Sequence, residues 1–146
     1  FVMNTIEQRA KAVTSSVFHK RYIEIPMDRI INLRRTILDL REEQKEHRTA
    51  IFRLYEEYLS QSIDGEEFTQ RNAQMRTHSS ELNRRMDDLV QILQPLEKSM
   101  DVRKERIKAF KDFLKEPTLT KEFMDMVIRC VTVDQERNIS VEFLID

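Results

Sequence analysis

The sequence predicts a mostly α-helical protein, in which a long antiparallel coiled-coil hairpin forms an arm on a small helical base with a C-terminal β-hairpin. One observation is compositional: of 146 residues, one is glycine and three are proline. Since tight turns and close backbone approaches depend on glycine, this content favours long helices with few turns. The other is periodic, because apolar residues recur at steps of three and four over two long stretches, as in coiled coils.

The first heptad run predicts one long helix beginning near residue 28. Pro26 suits the first turn of that helix, where its missing N–H costs nothing. The run keeps one register for more than four heptads, and only two of its members are polar. Its members are Ile30, Leu33, Ile37, Leu40, Gln44, His47, Ile51, Leu54 and Tyr58.

The second run begins at Phe68 and keeps its register to Leu114. At ~1.5 Å per residue this helix would be about 70 Å long, so much of it is expected to project as an arm. Pro95 lies inside the run and removes one backbone hydrogen bond. Because the register passes through it at Leu93 and Leu96, a kinked but continuous helix is preferred, with a true break as the alternative.

The segment between the two runs predicts that the helices fold back on each other. Asp64 is suited to cap the second helix, and Glu67 stands three residues later as the partner in a capping box. Ile63 and Phe68 occupy the positions of a hydrophobic staple. A turn near residue 63 pairs Leu33 with Leu93, Ile37 with Leu89 and Leu40 with Met86, and brings Gln44 and His47 near Ser79.

Three domains are predicted: 1–27 as an N-terminal base helix and connection, 28–97 as the arm with its tip at about 59–67, and 98–146 as the remainder of the base. Val2, Ile6, Val13 and Val17 indicate a short amphipathic helix, followed by a connection at 18–25 with no assigned structure. Thr120 is expected to cap a short helix from residue 121 to about 126. Residues 127–133 and 139–145 alternate with period two, which predicts a β-hairpin with Cys130 buried in its first strand.

The composition excludes most enzyme classes. Gly65 alone cannot build a P-loop, a dinucleotide-binding turn or a nucleophile elbow. His47 and His78 are too few for a metal site, and Cys130 alone can form neither an internal disulfide nor a four-ligand zinc site. With 25 basic and 26 acidic residues, the net charge of −1 is unlike that of an autonomous DNA-binding module. We therefore expect no catalytic residue, no cofactor site and no metal site in this chain.

Three motifs in order resemble the carboxy-terminal region of large serine recombinases, also called serine integrases. They are LYEEY at residues 54–58, IDGEEF at residues 63–68 and LTKEF at residues 119–123, the last running into the terminal hairpin. In that family a coiled-coil hairpin is inserted in a zinc-ribbon DNA-binding domain. The chain opens on Phe1 rather than Met, which we interpret as a piece of a longer protein. The catalytic domain and the zinc-binding cysteines of the family are absent here, so zinc is expected in a preceding part of the parent.

The resemblance implies a non-catalytic regulatory role in DNA recombination and integration. The arms would contact other recombinase subunits during synapsis and help to set the direction of the reaction, and a directionality factor is a further implied partner. DNA would be bound through the parent protein, in the cytoplasm of a bacterial or phage-infected cell, and no membrane is expected as a partner. The alternative is a stand-alone structural or adaptor coiled coil with no DNA role.

Two groups of residues are the predicted contact sites. An apolar group at the arm tip is expected to contact a partner protein, the alternative being that it only staples the turn; it comprises Tyr55, Tyr58, Leu59, Ile63 and Phe68. A basic group is the candidate for contact with DNA phosphates, the alternative being a solvated helix face, since acidic residues are interspersed with it; it comprises Arg103, Lys104, Lys108 and Lys111.

Overall fold

The computed structural model describes residues 1–145 and has five α-helices in that range, one π-helical segment and two strands. The predicted fold class is confirmed: the chain is mostly helical, with a long helix pair and a C-terminal β-hairpin. The elements in chain order are α1 (Val2–Val13), α2 (Ser16–His19), the π-helical segment (Lys20–Glu24), α3 (Ile25–Leu59), α4 (Gly65–Lys115), α5 (Lys121–Val127), β1 (Ile128–Val133) and β2 (Ile139–Phe143).

The chain divides into two compact units. One, here the hairpin unit, is Ile30–Leu96. The other, here the terminal unit, combines Phe1–Arg29 with the chain from Glu97 onward. The long helices α3 and α4 each contribute residues to both units.

In the hairpin unit, α3 and α4 run antiparallel and pack along the predicted seam. Six seam members are almost fully buried, as expected where apolar side chains from facing helices interdigitate: Ile30, Ile37, Leu40, Leu54, Leu82 and Leu93. Gln44 was predicted to lie near Ser79, and its side-chain amide donates a hydrogen bond to Asn83, one turn further along α4. Pro95 lies inside α4 without ending it, so the helix is continuous and the alternative of a true break is wrong.

The N-terminal part of the terminal unit differs from the prediction. The amphipathic helix exists as α1, with Ile6, Ala10 and Val13 buried. Val17 was expected on its apolar face, but it lies in α2 and is 80% exposed. Helix α1 ends at Val13, and a new helix starts because the Ser15 hydroxyl caps it, accepting a hydrogen bond from the Phe18 N–H at 3.3 Å.

The unassigned connection at 18–25 is itself helical. α2 passes into the π-helical segment, which runs directly into α3. Phe18 and Ile23 are buried, so this stretch contributes to the core of the terminal unit. Pro26 lies in the first turn of α3, as predicted.

An aromatic cluster forms the centre of the terminal unit. Phe110 of α4 is fully buried and makes an edge-to-face contact with Phe123 of α5, with ring centroids 5.7 Å apart. Phe113 stacks on the same ring at 5.0 Å, and Phe143 of β2 lies 6.2 Å from Phe110. Arg9 of α1 lies over the Phe143 ring at 4.9 Å. This cluster joins α4, α5 and the β-hairpin, since aromatic rings bury large apolar areas.

The C-terminal elements follow the prediction with shifted bounds. Thr120 caps α5 by accepting a hydrogen bond from the Phe123 N–H at 3.1 Å. β1 and β2 pair antiparallel, with an irregularity between Ile128 and Cys130. Cys130 was expected to be buried, but it is only half-buried, because its side chain lies beside Glu142 across the strand pair.

Candidate interaction and basic surfaces

The turn between α3 and α4 is closed by backbone hydrogen bonds. Gln61 adopts the left-handed conformation, with φ 63°. The Gln61 N–H donates to the Tyr58 carbonyl at 3.1 Å, and the Ser62 N–H donates to the Glu57 carbonyl at 3.0 Å. These two bonds are those of a Schellman motif, which ordinarily has glycine at the left-handed position. The end of α3 is therefore defined by local chemistry.

The start of α4 carries half of the predicted capping box. An Asp64 carboxylate oxygen accepts a hydrogen bond from the Glu67 N–H at 2.8 Å, as predicted. The reciprocal bond from the Asp64 N–H to the Glu67 side chain is absent from the hydrogen bonds of residues 1–145. Glu67 instead pairs with Arg71 at 2.9 Å, one turn further along the helix. A full opposite charge competes well with a neutral N–H for the carboxylate.

The predicted tip residues divide into two groups with different surroundings. Tyr58 stacks on Phe68 across the turn, with ring centroids 4.6 Å apart, and Tyr55 meets the same ring edge-on at 6.3 Å. Ile63 and Phe68 are half-buried. Tyr58 and Phe68 therefore pack on each other across the turn.

The second group faces solvent on α3. Phe52, Tyr55 and Leu59 are 62%, 50% and 63% exposed, and they follow one another at helical spacing. We call these three residues the tip stripe. Each stands one position after a seam residue, so the tip stripe lies about 100° around the helix from the buried face. Sequence reasoning missed Phe52; the signal was its place one residue beyond seam member Ile51.

The same line of α3 carries basic residues away from the turn. Arg41, Lys45 and Arg48 are exposed and continue the three-and-four spacing of the tip stripe toward Leu38. Leu38 is also exposed, at 60%. This helix face thus consists of an apolar end at the turn followed by a basic middle.

The predicted basic group is split between different faces of α4 in the terminal unit. Arg103 lies over the Tyr22 ring, with its guanidinium carbon 4.6 Å from the centroid, and donates a hydrogen bond to the Tyr22 carbonyl at 3.0 Å. Lys104, Lys108 and Lys111 instead line a shallow hollow of about 340 Å³, together with the apolar side chains of Ile23 and Ile107. The four residues therefore do not form one surface.

Arg106 of α4 bonds to two other segments of the terminal unit. Its Nε donates to the Met126 carbonyl and its Nη1 to the Leu144 carbonyl, both at 3.3 Å. Met126 lies in the last turn of α5, where carbonyls lack partners within the helix. One guanidinium thus joins α4 to α5 and to the segment after β2.

The two histidines considered at the sequence level do meet in the hairpin unit. Their ring centroids are 4.9 Å apart. His47 Nε2 lies 2.6 Å from the Met75 carbonyl, and His78 Nε2 lies 3.5 Å from a Glu43 carboxylate oxygen. Within residues 1–145, no group of three or more histidine, cysteine, aspartate or glutamate side chains is arranged to hold a metal.

Cys130 has the character of a structural thiol. Partial desolvation, followed by its hydrogen bond to Glu142 at 3.5 Å and the charge of that carboxylate, raises the pKa of the thiol above its ordinary value. A raised pKa keeps the thiol protonated at neutral pH, and the thiolate is the reactive form. No nucleophilic role is assigned to it.

Comparison with known proteins found no matching family model, curated protein or solved structure. Among the described helices, none combines the length and the apolar character needed to cross a membrane.

Proposed function

We propose that this chain is a non-catalytic interaction module of a site-specific DNA recombinase of the large serine type. In this proposal its helical hairpin contacts other recombinase subunits during synapsis, and the tip stripe is the contact surface. The family assignment rests on the ordered motifs described above. The observation that carries the contact role is the exposure of Phe52, Tyr55 and Leu59 beside the turn.

The turn is closed without any contribution from Phe52 or Leu59. Tyr58 and Phe68 already stack on each other, and the backbone bonds of Gln61 and Ser62 close the turn. Phe52 and Leu59, by contrast, leave most of their surface in water. Apolar side chains grouped on a surface otherwise rich in charge are typical of the centre of a protein contact.

The same features argue for a contact role rather than a catalytic one. A catalytic site needs a nucleophile or an acid–base pair within hydrogen-bonding distance in a concave pocket. The turn instead presents a convex helical face with aromatic and aliphatic side chains. Aromatic residues are common among the side chains that dominate binding energy in protein interfaces.

The experiment compares two leucines of nearly equal exposure on the same helix. Leu59→Ala removes part of the tip stripe, and Leu38→Ala removes an equally exposed leucine at a distance along α3. In a recombinase carrying this chain, Leu59→Ala combined with Phe52→Ala should weaken subunit association by ~1–3 kcal/mol. Leu38→Ala should leave association unchanged.

Two measurements are paired for each variant: gel-shift affinity for a single attachment site, and the yield of synaptic complexes with two sites. We expect the tip variant to bind one site normally and to form fewer synaptic complexes. Equal synapsis by the tip variant and the Leu38→Ala control would contradict the contact role. Self-association of the chain is measured in addition by analytical ultracentrifugation. Weaker self-association of the tip variant without any effect on synapsis would favour the adaptor coiled coil over the recombinase module.

A further inference from the structure

We propose that a basic cleft in the terminal unit binds a phosphate group, either from a nucleic-acid backbone or from a free phosphate compound. The cleft lies between the π-helical segment, α4 and the segment after β2, and has a volume of about 550 Å³. This proposal does not rest on the proposed function, because the hairpin unit contributes nothing to it. The cleft is lined by the basic side chains of Arg21, Lys98, Arg103 and Arg106, with Tyr22 and Ser99 beside them.

The cleft is lined by an excess of positive charge. Four of the residues that line the cleft are basic, and the described lining includes no carboxylate. The nearest acidic residues along α4 are Glu97, Asp101 and Glu105, and none of these three lines the cleft. Gathering like charges is unfavourable unless an anion compensates them.

The three arginine side chains of the cleft are held in place by contacts within the protein. Arg103 is held by the Tyr22 ring and by the Tyr22 carbonyl at 3.0 Å. Arg106 is held by its two hydrogen bonds to backbone carbonyls, and Arg21 lies over the Phe18 ring at 5.7 Å. A guanidinium carries five N–H donors, so each arginine keeps donors for a ligand after these contacts. Fixed donors bind an anion with little loss of side-chain entropy.

The chemistry of the donor set favours phosphate over carboxylate. Phosphate presents several acceptor oxygens and up to two negative charges, whereas a carboxylate presents two oxygens and one charge. Arginine forks match phosphate geometry, and the lysine adds a mobile point charge. The Ser99 hydroxyl lies in the same lining and supplies a further donor.

The lysine face of α4 supplies a matched control. Positions 98, 102 and 106 lie on one side of the helix, and positions 104 and 108 lie about 140° around it on average, because an α-helix turns about 100° per residue. The cleft variant is Arg21→Gln with Lys98→Gln, both exposed and outside the hydrogen bonds that Arg103 and Arg106 make. The control variant is Lys104→Gln with Lys108→Gln, which removes the same charge.

Two probes are titrated into the full chain: inorganic phosphate, and a duplex DNA of about 20 base pairs at low salt. Binding is followed by fluorescence anisotropy for DNA, and by NMR of the Arg103 and Arg106 Nε–H resonances for phosphate. Circular dichroism checks that both variants keep their helices. We expect the cleft variant to bind about tenfold more weakly, with the salt dependence of DNA binding reduced by about two contacts, and the control to stay within about twofold.

Each outcome decides the proposal. Binding of the duplex with little response to inorganic phosphate supports a nucleic-acid source, and saturation by inorganic phosphate without duplex binding supports a free phosphate compound. Equal losses in the cleft and control variants would mean unspecific attraction and would overturn the proposal. It is also overturned if the parent chain binds neither probe.

Discussion

Tyr58 and Phe68 stack across the hairpin turn, with ring centroids 4.6 Å apart and ring planes 25° from parallel. They stand ten positions apart in the sequence, one near the end of α3 and the other near the start of α4. This stacked pair lies next to the turn. Phe52, Tyr55 and Leu59, on the same part of α3, remain exposed.

Tyr58→Ala should therefore lower the stability of the hairpin, while Leu59→Ala should not. Loss of the stacked pair removes an aromatic contact worth about 0.5–1.5 kcal/mol in addition to the area that it buries. Leu59 is 63% exposed, and exposed substitutions usually change stability by less than about 0.5 kcal/mol. Urea unfolding followed by circular dichroism measures both values. Equal stability of the two variants would show that the stack contributes nothing.

Gln61→Gly should stabilise the turn. Gln61 has φ 63°, a conformation that costs a residue with a Cβ roughly 1–2 kcal/mol and that glycine adopts freely. Glycine also loses more backbone entropy on folding, so the net gain expected is about 0.5–1 kcal/mol. Ser60→Gly is the control, since Ser60 precedes the left-handed position and should gain nothing from glycine. A loss of stability in Gln61→Gly would mean that its side chain, rather than its backbone, stabilises the turn.

The β-hairpin turn should weaken in acid through Asp134. The side-chain amide of Asn138, then the N–H groups of Asn138 and Glu136, donate hydrogen bonds at 2.8 Å to this carboxylate and lower its pKa below the ordinary value of 3.8. Because the folded pKa is depressed, the stabilisation is present above the unfolded value and is lost as the pH falls below it toward the folded pKa.

Amide hydrogen exchange in β1 and β2, measured in steps downward from pH 5, tests this expectation. Protection in the parent should begin to fall below about pH 4, after correction for intrinsic exchange rates. Asp134→Asn should start from lower protection and show no such transition. If the two proteins lose protection identically as the pH falls, ionised Asp134 does not stabilise the turn.

Several features of the fold are determined by short stretches of sequence and were therefore predictable. The heptad steps from Ile30 to Tyr58 are a helical signal that needs no knowledge of the partner, and Asp64 and Thr120 cap helices within three residues of themselves. The alternation on either side of the loop before Ile139 indicated the β-hairpin. In each case the interacting groups are neighbours along the chain, so local stereochemistry is sufficient.

Other features depended on residues that are distant in sequence. Arg103 bonds to a carbonyl 81 positions away, and Arg106 bonds to carbonyls 20 and 38 positions away. No local pattern distinguishes these two arginines from the lysines around them, which is why the basic stretch was read as one surface. The helical form of residues 18–25 likewise depends on the burial of Phe18 and Ile23 in the terminal unit.

Local sequence was therefore enough for the two long helices, their caps, the antiparallel hairpin and the terminal strands, because periodicity and capping act over a few residues. Only the tertiary structure decided which side chains became surface. It stacked Tyr58 on Phe68 and left Phe52, Tyr55 and Leu59 with half or more of their surface exposed. It also brought Arg21 of the π-helical segment to the same cleft as Lys98, Arg103 and Arg106 of α4. The physical reason is that exposure and charge clustering are set by packing between distant segments, which no single stretch of sequence contains.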